Sequence, residues 1–199
     1  YAQDLQISSG GFGGRSTFGI RGLRLITHAT PASFPDRQGQ GSHFDLSSAE
    51  RIEVLRGPFS VLYGNSAGGV INLVTERGTP MASGDLSLGS FGTWRLAAKG
   101  GIDNGVLSLS RFHTDGYRQH SAADREEMNA KLVLPRGDSS LTLVANVFAS
   151  PETQDPLGLT RAQMQADPRQ VAASALQFDT RKTVAQSQLG AALAHRLSE

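Results

Sequence analysis

The part of the chain after residue 80 alternates apolar and polar side chains with a period of two. Apolar residues occupy every second position of three segments: Trp94, Leu96 and Ala98; Met128, Ala130, Leu132 and Leu134; Leu141, Leu143, Ala145 and Val147. Successive side chains of a β-strand point to opposite faces, whereas helical spacing would scatter these residues. With further strands at roughly 83–90, 105–113 and 183–197, the pattern predicts six strands, each with one apolar face.

The connections between these strands differ in length in a regular way. Two are tight: Asn104-Gly105 is typical of turns with positive φ, and Pro135-Arg136-Gly137-Asp138 supplies Pro and Gly. The other connections, at 89–92, 115–125 and 150–182, alternate with these turns, and two of them are long. Short turns on one rim, long loops on the other and strands of about ten residues are typical of an outer-membrane β-barrel.

A soluble β-sandwich is the alternative, because a half-buried antiparallel sheet alternates in the same way. The asymmetry of the loops favours the barrel. Six strands cannot close a transmembrane cylinder, for which about eight is the lower limit, so we expect further strands after Glu199. Four aromatic residues near strand ends suit either a membrane interface or the packing of a core: Phe91, Trp94, Phe112 and Phe148.

The composition excludes several kinds of function. The 199 residues contain no Cys, which removes disulfides, thiolate metal sites and thiol nucleophiles. The net charge of +1 argues against a nucleic-acid partner. No run of apolar residues is long enough to predict a transmembrane helix. Glycine makes up about 12% of the chain, above the usual ~7%, which favours a turn-rich β protein. Residues 1–80 hold 13 of the 23 glycines, which indicates a separate first region.

Motifs for catalysis are missing from the sequence. The stretch 10–14 lacks the glycine spacing of a dinucleotide site, and 64–69 lacks the Lys-Ser/Thr of a phosphate-binding loop. The five histidines have no metal-ligand spacing, although His113 and His120 flank a predicted outer loop that a metal complex would contact. Ser60 and Ser66 have no nucleophile elbow around them. We therefore predict no enzyme, no cofactor and no metal site.

The first 80 residues carry the most specific motifs. The run Arg51 to Arg56 alternates charged and apolar side chains, which predicts a strand with one buried and one charged face. Gly57-Pro58 ends it, because Pro has no N–H for a ladder. Three glycines then permit close backbone approach before a second β run at 70–74: Gly64, Gly68 and Gly69.

Three stretches together resemble the plug domain of TonB-dependent outer-membrane receptors: Phe18-Gly19-Ile20-Arg21-Gly22, residues 48–58 and residues 61–75. The resemblance implies an N-terminally truncated plug at 1–80 and the first six strands of a truncated 22-stranded barrel at 81–199. The expected fold is mainly β, with a Gly-rich plug-type sheet followed by antiparallel strands of an incomplete transmembrane β-barrel. Residues 1–9, 35–36 and 38–40 resemble the YncD-like subfamily in particular.

Such a receptor implies active uptake of a scarce nutrient, most often a ferric siderophore, through the outer membrane of a Gram-negative cell. The implied partners are outer-membrane lipid, a small-molecule ligand and TonB, which would bind a plug segment before Tyr1. Two alternatives remain open. One is import of a planar anionic cofactor such as pyrroloquinoline quinone, and the other is a soluble β binding module.

Two arginines are expected to hold the plug in place. The resemblance implies that Arg21 and Arg56 pair with carboxylates of the barrel wall, in strands beyond Glu199. The alternative is that each is an ordinary strand arginine, exposed to water or paired with Glu50 or Glu53.

The resemblance also implies ligand contacts on two plug loops, at 9–17 and 32–43. The candidate residues are Phe12, Arg15, Phe34, Asp36, Arg37, Gln38 and Gln40. Arginine can hold a carboxylate with two hydrogen bonds, and Phe34 suits stacking on a flat ring. Gly10 and Arg37 depart from the subfamily pattern, so its substrate is not carried over. In the longest outer loop, Thr160 to Gln163 predicts a capped helix start and Asp167-Pro168 its stop.

Overall fold

The computed structural model describes residues 23–27, 30–31, 48–56 and 69–197, with side chains for 48–54 and 72–197. These residues form two sheets. The first, which we call the small sheet, contains four strands: β1 (Leu23–Thr27), β2 (Thr30–Pro31), β3 (Ala49–Arg56) and β4 (Gly69–Thr75). Their order is β2-β1-β4-β3, with β1 parallel to β4 and the other pairs antiparallel. The strands expected before Gly57 and at 70–74 are confirmed.

The apolar face of β3 is more exposed than the alternation predicts. Ile52 and Val54 are 52% and 53% exposed, although the pattern predicts a buried face. On the opposite face Arg51 donates to Glu53 at 2.8 Å, and the amide of Asn72 on β4 donates to Glu53 at 3.0 Å. These hydrogen bonds order the charged face, whereas the described residues provide too little apolar surface to cover Ile52 and Val54.

The second sheet, which we call the large sheet, contains six antiparallel strands in sequence order. They are β5 (Met81–Leu88), β6 (Trp94–Ile102), β7 (Gly105–Thr114), β8 (Ala123–Arg136), β9 (Ser139–Gln154) and β10 (Arg181–His195). The prediction of six strands is confirmed, and most of them are longer than predicted. The large sheet is open, with β5 and β10 at its edges.

Both tight turns form where the sequence places them, but for partly different reasons. Gly137 has φ +57°, in keeping with its turn position. Neither Asn104 nor Gly105 has positive φ, so that part of the expectation is wrong. Gly105 leaves little room for a side chain, because a Cβ there would lie 3.2 Å from the Lys131 carbonyl oxygen on β8, a tight contact.

The large sheet buries its polar face in its central strands and exposes its apolar face, whereas the edge strand β5 is exposed throughout. One register row of polar residues crosses all six strands: Ser83, Lys99, Ser108, Asn129, Asn146 and Gln188. Within this row Ser108, Asn129 and Asn146 are 1%, 4% and 2% exposed. On the opposite face Leu96 is 54% exposed and Leu189 is 89% exposed. A half-buried sheet of a water-soluble protein does the opposite, because it buries its apolar face and exposes its polar face.

The aromatic residues near strand ends divide between the two faces. Trp94 lies on the apolar face at the rim of the long loops, where the Arg111 guanidinium sits 5.9 Å from its ring. Phe112 and Phe148 point to the polar face, and Phe148 is 1% exposed. The interface explanation therefore fits Trp94, whereas core packing fits Phe148.

Two short helices lie in the connection between β9 and β10. The predicted one, α1 (Arg161–Ala166), is confirmed with its capping box, in which Thr160 and Gln163 bond each other's backbone N–H. Asp167 ends it. The second, α2 (Ala173–Gln177), has no side-chain cap and was not predicted. No helix in the described ranges combines the length and the hydropathy that a membrane crossing requires.

Candidate functional site

Most of the residues predicted from the sequence to bind ligand or hold the plug lie outside the described residues. These are Phe12, Arg15, Arg21, Phe34, Asp36, Arg37, Gln38 and Gln40. Arg56 ends β3 opposite Gly69, and its side chain is not described. Glu50 and Glu53, the alternative partners for the arginines, both form ion pairs with Arg51, at 3.3 and 2.8 Å.

The hydrogen bonds on β3 and β4 shift the ionisation of their charged groups. The bond from Asn72, followed by that from Arg51, lowers the pKa of the Glu53 carboxyl. In turn the bond to Glu53 raises the pKa of Arg51. Both groups are therefore charged near neutral pH, and the charged face of the small sheet is internally paired.

Three connections at the long-loop rim of the large sheet pack together, and we call residues 89–93, 115–122 and 155–180 the loop cluster. The centre of the cluster is the half-buried Arg118. Its guanidinium donates to the carbonyl oxygens of Leu157, Gln170 and Pro156, at 2.7, 2.9 and 3.1 Å. The planar guanidinium presents several donors in fixed directions, so one side chain can tie separated parts of a loop together.

Further contacts join the same connections. The backbone N–H of Gln119 donates to the carbonyl of Arg169 at 3.0 Å. His120, with its side chain 8% exposed, places Nε2 2.9 Å from the carbonyl oxygen of Thr180. Asp115 donates its N–H to the carbonyl of Phe91 at 3.0 Å. The connection 115–122 is therefore hydrogen-bonded to both of the others.

A surface of two aromatic rings and one guanidinium lies on the loop cluster. Phe91 and Tyr117 meet edge to face, with ring centroids 5.2 Å apart. Arg169 lies 5.6 Å from the centroid of the Phe91 ring and 5.9 Å from that of Tyr117. Phe91 is 43% exposed and Tyr117 48%. This arrangement can stack on a flat ring and pair with an anion.

Backbone strain concentrates in the same three connections. Within the described part of the chain, the non-glycine residues with positive φ are Phe91, His120, Leu157 and Asp179, and all of them belong to the loop cluster. Such conformations cost about 1–3 kcal/mol each and persist where the surroundings enforce them, often at ligand sites. The Arg118 contacts and the Phe91–Tyr117 pair supply that enforcement.

The two histidines predicted to flank an outer loop have other partners. His113 Nδ1 lies 2.9 Å from Asp124 Oδ1, beside the ring of Trp94 on the apolar face. His120 is turned into the loop cluster against Thr180. Across the described ranges, no three His, Asp or Glu side chains are arranged to hold a metal ion. The structure does not bring these histidines together.

Comparison with known proteins finds similarity mainly in the first part of the chain. Residues 1–70 match the TonB-dependent Receptor Plug Domain. The vitamin B12 transporter BtuB of Photobacterium profundum is 31% identical over 127 residues, covering 57% of this chain and 21% of that protein. The iron-regulated outer membrane virulence protein of Vibrio cholerae is 52% identical over 44 residues, covering 22% and 7%. The chain thus spans about a fifth or less of these curated relatives.

A solved structure resembles the fold. The unliganded ferric citrate transporter FecA superimposes with a TM-score of 0.62 at 22% identity, over 80% of this chain and 27% of that one. The plug-type segment followed by antiparallel strands of an unclosed barrel sheet is therefore the fold of this chain. By name, these relatives are an outer-membrane virulence protein and a vitamin B12 transporter. None of the comparisons supports the YncD-like subfamily in particular.

Sequence reasoning missed Arg118, Tyr117 and Arg169 as a group. Arg118 and Arg169 are 51 positions apart in the sequence. No local pattern predicts that Arg118 donates to the backbone carbonyl of Gln170, the residue after Arg169. The available signal was composition, since an aromatic residue and an arginine within a polar loop at 115–125 resemble the plug-loop candidates. That signal marks a candidate residue without giving its neighbours.

Proposed function

We propose that this chain is part of a TonB-dependent outer-membrane receptor that imports a scarce nutrient, with a ferric siderophore as the leading cargo. The burial of the large sheet carries the proposal. Its polar face is covered while Leu96, Leu189 and their neighbours are exposed. An outer-membrane barrel requires this arrangement, because lipid covers the apolar face and the plug occupies the interior.

We assign residues 1–80 to the plug and residues 81–199 to the first strands of the barrel wall. The large sheet begins at Met81, and Trp94 lies at the long-loop rim of its apolar face, where aromatic rings prefer the membrane interface. We assign the long-loop rim to the outside of the cell, because outer-membrane barrels have long extracellular loops and short periplasmic turns. The cell outer membrane of a Gram-negative bacterium is the proposed location.

The loop cluster is the part of the described chain best suited to contact cargo. Phe91, Tyr117 and Arg169 offer two aromatic rings and a guanidinium to an anionic compound that contains a flat ring. The proposed plug-loop contacts would meet the same cargo from below: Phe12, Arg15, Phe34, Asp36, Arg37, Gln38 and Gln40. Arg21 and Arg56 remain the proposed latch between plug and wall. TonB is the proposed source of energy for release, so no catalytic group is required.

A planar anionic cofactor such as pyrroloquinoline quinone is the second candidate cargo. The Phe91–Tyr117–Arg169 surface favours it as much as it favours an aromatic siderophore, because both carry anionic groups beside a flat ring. The quinone cofactor and the ferric siderophore differ in size and in metal content. The Phe91–Tyr117–Arg169 surface does not select for either property.

Growth of a strain that lacks the intact receptor, supplied with iron chelates or quinone cofactors one at a time, tests the function. We expect the intact receptor to restore growth on one class of anionic aromatic compound, and only in cells with functional TonB. Growth restored without TonB, or on none of the panel, would contradict the proposal.

A variant pair tests the contact surface. Arg169→Ala removes the guanidinium between the two rings and should weaken cargo binding by about tenfold, the size expected for one charged hydrogen bond. Arg161→Ala, an exposed arginine of α1 in the same loop, is the matched control. If the two variants bind cargo equally well, Arg169 is not part of the binding site. That result would leave the outcome of the growth assay unaffected.

A further inference from the structure

In the described part of the chain, side chains of the large sheet hold the small sheet where β4 ends and residues 75–80, the exit segment, lead to β5. Lys99 Nζ on β6 lies 2.9 Å from Glu76 Oε1, with the two side chains 16% and 27% exposed. Lys131 Nζ on β8 donates to the backbone carbonyl of Thr75 at 2.7 Å. Two adjacent residues of the exit segment are therefore held from two different strands.

Both lysines belong to the polar face, on either side of β7. Lys99 pairs in register with Ser108, Ser108 pairs with Asn129, and Lys131 follows two residues later on the same face. The chain contains three lysines, and two of them converge here. An ammonium group is a compact charge with three donors, so it can hold a carboxylate or a carbonyl from the side of a wall. Because the side chains of Lys99 and Glu76 are mostly buried, salt screens their ion pair less than it screens an exposed pair.

Tight backbone contacts reinforce the same place. Gly78 has φ +102°, and a Cβ there would lie 2.2 Å from the carbonyl oxygen of Gly105. A Cβ on Gly101 would lie 2.3 Å from the carbonyl oxygen of Thr79. The exit segment thus lies directly against the β6–β7 hairpin, and glycines stand at the two points of closest approach.

The strand held in this way is central to the small sheet. β4 pairs with β1 on one side and with β3 on the other. The backbone N–H of Glu76 also donates to the carbonyl of Ser48, just before β3, at 3.0 Å. Fixing Thr75 and Glu76 to the wall therefore fixes one end of the strand on which its neighbours depend.

We propose that Lys99 and Lys131 form an anchor that fixes the C-terminal end of the plug sheet to the barrel wall. Movement of the plug during transport is then confined to segments that precede β4. After transport these segments pair again with β4, which has stayed in place. The transport role rests on the proposed function, whereas the anchor itself is a property of the two sheets.

Hydrogen exchange of the intact receptor in lipid bilayers, with neither cargo nor TonB present, tests the anchor. The variants are Lys99→Met, Lys131→Met and the double change, with Lys182→Met at the opposite end of the sheet as the matched control. We expect the amides of residues 69–75 to exchange at least about tenfold faster in the double variant, because local opening no longer has to break both contacts. The amides of β6 to β9 and the control variant should keep wild-type exchange.

Glu76→Gln provides a second readout that leaves both lysines in place. It keeps the shape of the side chain and removes the charge, so we expect a smaller acceleration confined to the same residues. Unchanged exchange at 69–75 in both the double variant and Glu76→Gln overturns the anchor, as does equal acceleration across β6 to β9. Because these measurements need neither cargo nor TonB, a failed growth assay alone would overturn the transport proposal and leave the anchor standing.

Discussion

Arg118 and Leu157, 39 positions apart, are joined by a 2.7 Å hydrogen bond from the guanidinium to the backbone carbonyl. The same side chain reaches the carbonyls of Pro156 and Gln170. Arg118 therefore makes three of the hydrogen bonds that fasten the loop of 26 residues between β9 and β10 to the shorter loop between β7 and β8, beside the contacts of Gln119 and His120. A binding surface carried by both loops depends on these contacts for its shape.

Replacing Arg118 should loosen the loop cluster. Arg118→Met takes this donor from the carbonyl oxygens of Leu157 and Gln170, whereas that of Pro156 keeps the N–H of Ala172. A polar group that loses its partner away from water costs about 1–3 kcal/mol. We expect faster hydrogen exchange and faster protease cleavage within residues 155–180 of the intact protein, with the strands unchanged. Arg161→Met in α1 is the control and should behave as wild type. Wild-type exchange of this loop in Arg118→Met would show that other contacts hold it.

A methyl group at Gly78 should disrupt the exit segment, whereas one at Gly100 should be tolerated. Gly78→Ala forces a residue with a side chain into positive φ and against the Gly105 carbonyl, at a cost of about 1–3 kcal/mol. At Gly100 a Cβ would meet nothing within 4 Å. Thermal unfolding of both variants in the same detergent provides the comparison. Equal stabilities would mean that the exit segment can move away from the hairpin.

Arginine substitutions on the two faces of β10 should differ in effect. Leu189 lies on the apolar face and is 89% exposed, and its neighbour Gln188 lies on the polar face opposite Asn146. In a bilayer Leu189→Arg should cost about 2–4 kcal/mol, the range for a lipid-facing arginine near the midplane. Gln188→Arg should cost less. Folding of the intact protein into lipid vesicles over a urea series measures both costs. A soluble β module would tolerate Leu189→Arg without loss.

The charged face of the small sheet should weaken in acid. The pKa of Glu53 is lowered by Asn72 first and then by Arg51, so the ionised carboxylate stabilises the folded state above its unfolded pKa of about 4.3. That contribution is lost as the pH falls through the lower, folded value. We expect exchange of the β3 and β4 amides to accelerate below about pH 4 in the wild type. Glu53→Gln should lack this acid step, and an identical pH profile in both proteins would contradict the prediction.

The sequence by itself determined the strands of the large sheet, one helix of the long loop and the match of residues 1–70 to a plug domain. Alternation with period two depends only on neighbouring residues, so it predicts strands such as β6 and β8 directly. The capping box at Thr160 and Gln163 is equally local, because both partners belong to one turn of helix. Plug motifs are contiguous stretches, which is why residues 1–70 could be matched.

Only the tertiary structure decided which face of the large sheet is covered, and which distant residues meet. Period two is the same whether water or lipid lies against the apolar face, so the exposure of Leu189 and the burial of Asn146 required the assembled sheet. Arg118 contacts Leu157, and Lys99 contacts Glu76, although each pair lies on different elements that are far apart in the sequence. Such contacts depend on the register and packing of whole elements, and no local pattern of residues encodes them.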